Sequence, residues 1–191
     1  MLIGFFTFAR RSNLVPSSAA AFDPKKQLQR ADIIAGSDRM FVIFKWSKTI
    51  QFGERALVMP LVALPNTKIC PLAAYERLVR SSPGSPNDPA FATLRRGKLV
   101  AISQGKLQET IKSLVKKIDG DPTNFSSHSL RRGGASWASR CGCSADQIKL
   151  FGDWHSDCYE IYIENSLEQR TVVASKMAQC IVQQHTDKSG P

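Results

Sequence analysis

The sequence has no long apolar run, since no stretch approaches the roughly 18 consecutive apolar residues of a membrane-spanning helix. No membrane partner is therefore predicted. The apolar start, Met1 to Phe6, has neither a basic beginning nor a small-residue cleavage site, so it predicts a buried helix rather than a signal peptide. The 191 residues show no internal repeat and suit a single domain.

Cysteine is scarce and is poorly spaced for metal binding. The only close pair among the five cysteines is Cys141 and Cys143, separated by one glycine. A zinc knuckle needs two intervening residues, and no histidine follows at ligand distance. The odd count and this spacing predict free thiols in a reducing, intracellular compartment. Neither a metal nor another cofactor is predicted.

Acidic residues are few relative to basic ones. Asp and Glu number 16 against 26 Lys and Arg, which gives a formal net charge of +10. Such an excess on a small domain favours a polyanionic partner, with nucleic acid the first candidate. A soluble protein that merely carries many lysines is the alternative that charge alone leaves open.

The hydrophobic patterns predict an α+β fold that is mainly helical. The β-branched and aromatic segment 40–46 is predicted to pair with 56–61 in an antiparallel hairpin, and 32–34 could add a third strand. Apolar spacing, capping residues and helix-ending glycines predict the helices. The predicted helices cover about residues 2–11, 71–79, 103–120, 129–140, 144–150, 156–162 and 167–184.

The most informative pattern is His128-x-x-Arg131 followed by Tyr162. A His and an Arg three residues apart share one helical face, so both can point at the same phosphate. The planar guanidinium of Arg fits two phosphate oxygens at once. A tyrosine hydroxyl can form a covalent phosphodiester without a metal or nucleotide cofactor. Together these residues indicate phosphoryl transfer on nucleic acid.

Cleavage of a DNA phosphodiester needs a nucleophile, cations around the non-bridging oxygens and an acid for the leaving hydroxyl. The chain offers a candidate for each role. Tyr162 would attack, while Arg10 and Arg131 would clamp the phosphate and His128 would hydrogen-bond to it. Lys48, on the predicted hairpin, would protonate the leaving sugar oxygen.

The candidate catalytic residues also have competitors or simpler interpretations. Arg11 competes with Arg10, Lys45 competes with Lys48, and Tyr159 lies one turn before Tyr162 and is the alternative nucleophile. An isolated His-x-x-Arg is usually a solvated surface pair. The two glycines that follow it cost a helix about 1–2 kcal/mol relative to alanine, which favours close packing or close approach of a ligand there.

This arrangement resembles the catalytic domain of the tyrosine recombinase (phage integrase) family. The segment from Ser127 to Gly134 resembles the His-x-x-Arg box and is the most specific match. Phe8 to Leu14 resembles the box of the first catalytic arginine, and Trp46 to Thr49 resembles the β-hairpin lysine segment. Gly152 to Ile163, with its Gly-x-Trp-x-Ser pattern and two tyrosines, looks most like the recombinases of DIRS-type eukaryotic retroelements.

The resemblance implies a tyrosine recombinase catalytic-domain fold over residues 1–185, without the preceding core-binding domain, and a polar tail at 186–191. It implies metal-independent cleavage of double-stranded DNA through a 3′-phosphotyrosyl bond, followed by religation. It further implies a homo-oligomer on DNA, docked through the C-terminal helix, and a nuclear location if the source is eukaryotic. The implied site residues are Arg10, Lys48, His128, Arg131, Asp153, Trp154, His155 and Tyr162.

Two positions depart from the family's pattern. Asn13 stands where an acidic residue usually supports the site from behind, which would loosen the first arginine. Asp153 stands nine residues before Tyr162, where the family has His or Trp. A carboxylate near the attacked phosphate repels it by roughly a few kcal/mol unless it turns away or pairs. Trp154 or His155 could fill the role after a shift of one residue.

Two alternatives remain open. The departures at Asn13 and Asp153 fit a DNA-binding relic of a mobile-element recombinase that no longer cleaves DNA. The same chemistry also serves a type IB topoisomerase, which relaxes supercoils without exchanging partners. The small size and the details of the boxes favour a recombinase.

Overall fold

The computed structural model describes residues 1–47, 55–154 and 167–187. These residues form a mainly helical α+β fold with a small antiparallel sheet, which confirms the predicted class. None of the helices among them is long and apolar enough to cross a membrane. The α-helices in this part of the chain are α1 (Leu2–Phe6), α2 (Arg11–Leu14), α3 (Pro71–Ser81), α4 (Gln104–Lys116), α5 (Ser127–Arg140), α6 (Ala145–Phe151) and α7 (Leu167–Asp187).

The antiparallel sheet contains the three predicted strands in the order β1 (Ile33–Ala35), β2 (Arg39–Phe44) and β3 (Leu57–Val62). Burial alternates along β2, as expected for a strand with one face on the core. Helix α7 packs against β3. The α7 side chains buried at helical spacing are Val173, Met177 and Ile181.

The structure also contains a second sheet that the sequence patterns did not predict. It is a two-stranded hairpin of β4 (Ala92–Arg95) and β5 (Lys98–Ala101). The connecting residues Arg96 and Gly97 have φ values of 50° and 76°. Positive φ at both central residues is typical of a type I′ turn, which usually begins with Asn, Asp or Gly. The hairpin was not predicted because the first central residue of its turn is an arginine and its strands are short.

The predicted helix 2–11 is wrong as a single element, because the chain turns between α1 and α2. The turn is centred on Phe8, which has a φ of 52° and is fully buried. Thr7 ends α1, and its hydroxyl donates a hydrogen bond to the carbonyl of Ile3 over 2.7 Å. The reversal places the backbone carbonyl of Phe8 against α5.

Some helix limits differ from the predicted ones. Helix α5 begins two residues earlier because Ser126 and Ser129 form a reciprocal capping box, and a serine at the second position is an unusual partner. The predicted capping box of α6 is confirmed. Helix α7 continues to Asp187, two residues into the predicted tail. The predicted helix 156–162 lies outside the described residues.

Candidate functional site

A small cleft lies where α2, α5, the end of α6 and the base of the β2–β3 hairpin meet. The predicted residues Arg10, Arg131 and Asp153 all line it. Its empty volume is about 320 Å³, part of which is open to solvent. The fold therefore brings two arginines from distant parts of the sequence to one concave surface, together with one carboxylate.

The guanidinium of Arg131 is held in a fixed orientation. Nη1 donates a hydrogen bond to the carbonyl of Phe8, and Nη2 donates one to the carbonyl of Gly152 over 3.1 Å. The Cζ atom lies 4.2 Å from the centroid of the Trp154 ring, which is a cation–π contact. Because a guanidinium has five N–H groups, these two carbonyls fix its plane and leave it able to bind an anion as well.

Burial and a neighbouring charge make the positive charge of Arg131 costly. Burial lowers the pKa of Arg131 to about 10, the guanidinium of Arg10 lowers it as well, and Asp153 raises it. The group is still protonated at neutral pH. The effect of Arg10 means that the two cations are close enough to repel each other, so an anion bound between them would be favourable.

The structure distinguishes Arg10 from Arg11. Arg10 is partly buried, precedes the first turn of α2 and lines the cleft, whereas Arg11 is exposed. Arg10 is therefore the better candidate of the two for contact with an anion in the cleft. Lys45, the alternative to Lys48, forms an ion pair with Asp32 over 2.9 Å.

Asp153 is buried and has a φ of 49°, a left-handed conformation that Asp tolerates better than most residues. Its Oδ1 accepts a hydrogen bond from Nη2 of Arg55 over 2.7 Å. Burial lowers the pKa of Arg170, and the charge of Asp153 partly offsets this. The carboxylate is thus paired with a cation, and this pairing reduces its repulsion of a phosphate.

Arg55 and Arg170 were not among the predicted site residues. Arg55 lies two residues before β3, and Arg170 lies in α7, where its Nη1 donates a hydrogen bond to the carbonyl of Val58 over 3.1 Å. Both approach Asp153 only through tertiary packing, so no spacing in the sequence signals them.

Aromatic packing supports the floor of the cleft. The Phe8 ring meets Phe151 edge-on at a centroid distance of 5.0 Å and stacks on Trp154 at 5.7 Å. A side chain at Gly152 would overlap the Trp154 ring. Trp154 therefore lies between Phe8 and Arg131, where it packs beneath the site and supports the cation.

Only one of the two glycines after the His-x-x-Arg pattern is required by packing. A Cβ at Gly134 would overlap the carbonyl oxygen of Phe5 and lie 2.7 Å from Cδ1 of Phe8. A Cβ at Gly133 would lie 3.6 Å from the Phe5 ring, which is an ordinary contact. The predicted close packing is present at Gly134. It lets α5 approach the segment from Phe5 to Phe8, whose Phe8 carbonyl accepts a hydrogen bond from Arg131.

Asn13 performs a supporting role that a carboxylate could not perform in the same way. It is buried, lines the cleft, and donates a hydrogen bond from Nδ2 to the carbonyl of Trp46. Trp46 is two residues before Lys48. The bond therefore joins α2 to the residues just after β2, where the hairpin connection begins.

Not every predicted site residue that the structure describes lies at the cleft. His128 is exposed in the first turn of α5 and is not among the described residues that line the cleft. Its contact with the same anion as Arg131 stays a prediction. The predicted residues that lie outside the described part of the chain are Lys48, His155, Tyr162 and the alternative nucleophile Tyr159.

The close cysteine pair lies away from the cleft, toward α7. Cys141 and Cys143 are free thiols. Burial, followed by a hydrogen bond with Cys180 of α7, raises the pKa of Cys141 to about 12. A thiol of this kind is poorly nucleophilic at neutral pH, which favours a packing role.

Comparison of the chain with models of known protein families gives no match, and comparison with curated proteins gives none either. The residues and geometry of the cleft are therefore the basis for assigning a function.

Proposed function

We propose that this protein breaks and rejoins DNA strands through a covalent 3′-phosphotyrosyl intermediate, as the resembled recombinases do. One observation carries the proposal. Arg10 and Arg131, which are far apart in the sequence, line a single cleft, and Arg131 is oriented there by two carbonyls and an aromatic ring. A fixed pair of guanidinium groups suits a phosphodiester better than a neutral substrate.

In the proposed reaction the Tyr162 hydroxyl loses its proton to water, and its oxygen forms a bond to phosphorus as the bond between phosphorus and the 5′-oxygen breaks. Lys48 gives a proton to the departing 5′-oxygen, while Arg10, Arg131 and His128 stabilise the charge on the non-bridging oxygens. The phosphotyrosyl ester keeps the energy of the broken bond. Attack by a 5′-hydroxyl on this ester then rejoins a strand and releases Tyr162 without an external energy source.

A second candidate function is DNA binding without cleavage. The observation that favours it is Asp153, a buried carboxylate in the wall of the cleft at the position where the family has His or Trp. Under this alternative, the arginines hold duplex DNA but no covalent product forms. Binding would then be unchanged in Tyr162→Phe.

The test is to trap the chain on nicked suicide duplexes whose central sequence is randomised, because the target sequence is unknown. The proposal predicts a covalent adduct that survives denaturation, is lost in Tyr162→Phe and is retained in the matched control Tyr159→Phe. Peptide mapping should place the DNA on Tyr162.

Two results would count against the proposal. DNA binding with no adduct from any duplex would favour the non-cleaving alternative. An adduct that persists in Tyr162→Phe but disappears in Tyr159→Phe would move the nucleophile to the other tyrosine and overturn the assignment made here.

A further inference from the structure

We infer that Arg55 is a third phosphate-binding arginine of the cleft, and that Asp153 is the positioning residue that holds it there. The inference deepens the proposed function and rests on it only in naming the anion as a DNA phosphate. It assigns a role to a carboxylate that would otherwise weaken the site.

The two members of the Arg55–Asp153 pair differ in their exposure to solvent. The Asp153 side chain is 4% exposed and that of Arg55 is 38% exposed. An ion pair between two exposed groups contributes little stability and changes its geometry readily. A buried carboxylate, by contrast, is strongly destabilised when its partner is lost. The Nη2 to Oδ1 distance of 2.7 Å is that of a charge-assisted hydrogen bond. Arg55 is therefore fixed beside Asp153 at the edge of the cleft, outside the residues that line it, and part of its side chain reaches solvent.

Several positive charges lie close to Asp153. Its carboxylate is close enough to raise the pKa of Arg131 and of Arg170, and Arg55 is close enough to lower that of Arg170. Arg10 lines the same cleft. Among the described residues, one carboxylate thus stands against four guanidinium groups, and this excess of positive charge favours an anion.

The backbone at Asp153 also serves both arginines. Asp153 adopts a φ of 49° directly after Gly152, whose carbonyl accepts a hydrogen bond from Arg131. One short turn thus orients Arg131 through a carbonyl and Arg55 through a carboxylate. Left-handed residues that are fixed in this way concentrate at binding sites.

The test compares two double variants that keep the net charge of the chain. Arg55→Gln with Asp153→Asn removes the cleft pair, and Arg39→Gln with Asp38→Asn removes an exposed pair with the same 2.7 Å separation at the far end of β2. Binding to a duplex of about 20 base pairs is measured by fluorescence anisotropy over a series of salt concentrations. Both proteins are first checked for folding by circular dichroism.

The cleft variant should bind about tenfold more weakly than the wild type, the effect of losing one hydrogen bond to a charged group. Its salt slope should be smaller by about 0.9, which corresponds to one phosphate contact. The control should stay within about twofold. If Arg55 only neutralises Asp153, the cleft variant will instead bind like the wild type, and that result overturns the inference.

The variant Arg55→Lys covers the case in which the double variant does not fold. It keeps the charge beside Asp153, but an ammonium cannot serve a carboxylate and a phosphate with a planar fork. Affinity should fall several-fold with the fold intact, and unchanged affinity would contradict the inference. Adduct formation by the wild type is scored separately. Weakened binding without any adduct would refute the proposed function alone, while an adduct with unaltered binding would refute the role of Arg55 alone.

Discussion

At the scale of single residues, the cleft depends on backbone groups as much as on charged side chains. Arg131 is oriented by the carbonyls of Phe8 and Gly152. The position of the Asp153 side chain depends on the left-handed backbone conformation of that residue. Such a site can be lost without changing any charged residue, by displacing the backbone that holds it. Gly134 is the position where this can be tested most directly.

The variant Gly134→Ala should lower the free energy of unfolding by roughly 1–3 kcal/mol, because the added methyl group overlaps the carbonyl of Phe5 and presses on Phe8. The matched control Gly133→Ala should raise it by up to about 1 kcal/mol, since alanine is the better helix former and has room. Urea unfolding of both variants provides the comparison. Equal effects at the two positions would contradict the packing described at Gly134.

At the scale of elements, the site depends on how α2 meets the hairpin of β2 and β3. Asn13 makes this connection through the carbonyl of Trp46. The resembled family usually has an acidic residue here, and an ionised carboxylate accepts hydrogen bonds but cannot donate one. The departure at Asn13 is therefore compatible with a supporting role, carried out by a different hydrogen bond.

The variant Asn13→Ala should lower the free energy of unfolding by roughly 1–3 kcal/mol, because it leaves the Trp46 carbonyl without this donor in a partly buried place. Asn124→Ala is the control, since that amide also donates a hydrogen bond, to Asp121 over 2.9 Å, but at an exposed site. The control should change stability by less than about 0.5 kcal/mol. Thermal or urea unfolding measures both, and an equally small effect at Asn13 would remove its assigned role.

At the scale of the whole molecule, the positive charge determines how any contact with DNA responds to salt. The chain carries a formal charge of +10, and the cleft concentrates part of this charge. Binding to DNA should release counterions from the phosphates that the protein neutralises. This property belongs to the full charge distribution rather than to any one residue.

Raising the salt concentration fourfold should weaken duplex binding by about tenfold if two phosphates are contacted, and by more for each further contact. Anisotropy titrations at several salt concentrations give the slope. A neutral polymer of similar size should not compete for binding, whereas an unrelated polyanion should. Affinity that does not change with salt would contradict a polyanionic partner.

Much of the fold could be predicted from the sequence because its signals are local. The strands of the main sheet, the helix that begins at Pro71 and the capping box of α6 each depend on neighbouring residues, and the structure contains them. The break at Phe8 and the β4–β5 hairpin were missed. Phe8 is a bulky residue in a conformation that it rarely adopts alone, and Arg96 is an uncommon residue for its turn.

The sequence by itself determined the fold class, the basic character of the chain and the types of residue that could act on a phosphodiester, because composition and periodicity are read along one chain. Only the tertiary structure decided that Arg10 rather than Arg11 enters the cleft, and that Asp153 is paired with Arg55. Those choices depend on burial and on contacts between segments about a hundred residues apart. Removing water around such charged contacts costs free energy, which is offset only when tertiary packing brings the partners together, and no local pattern encodes that packing.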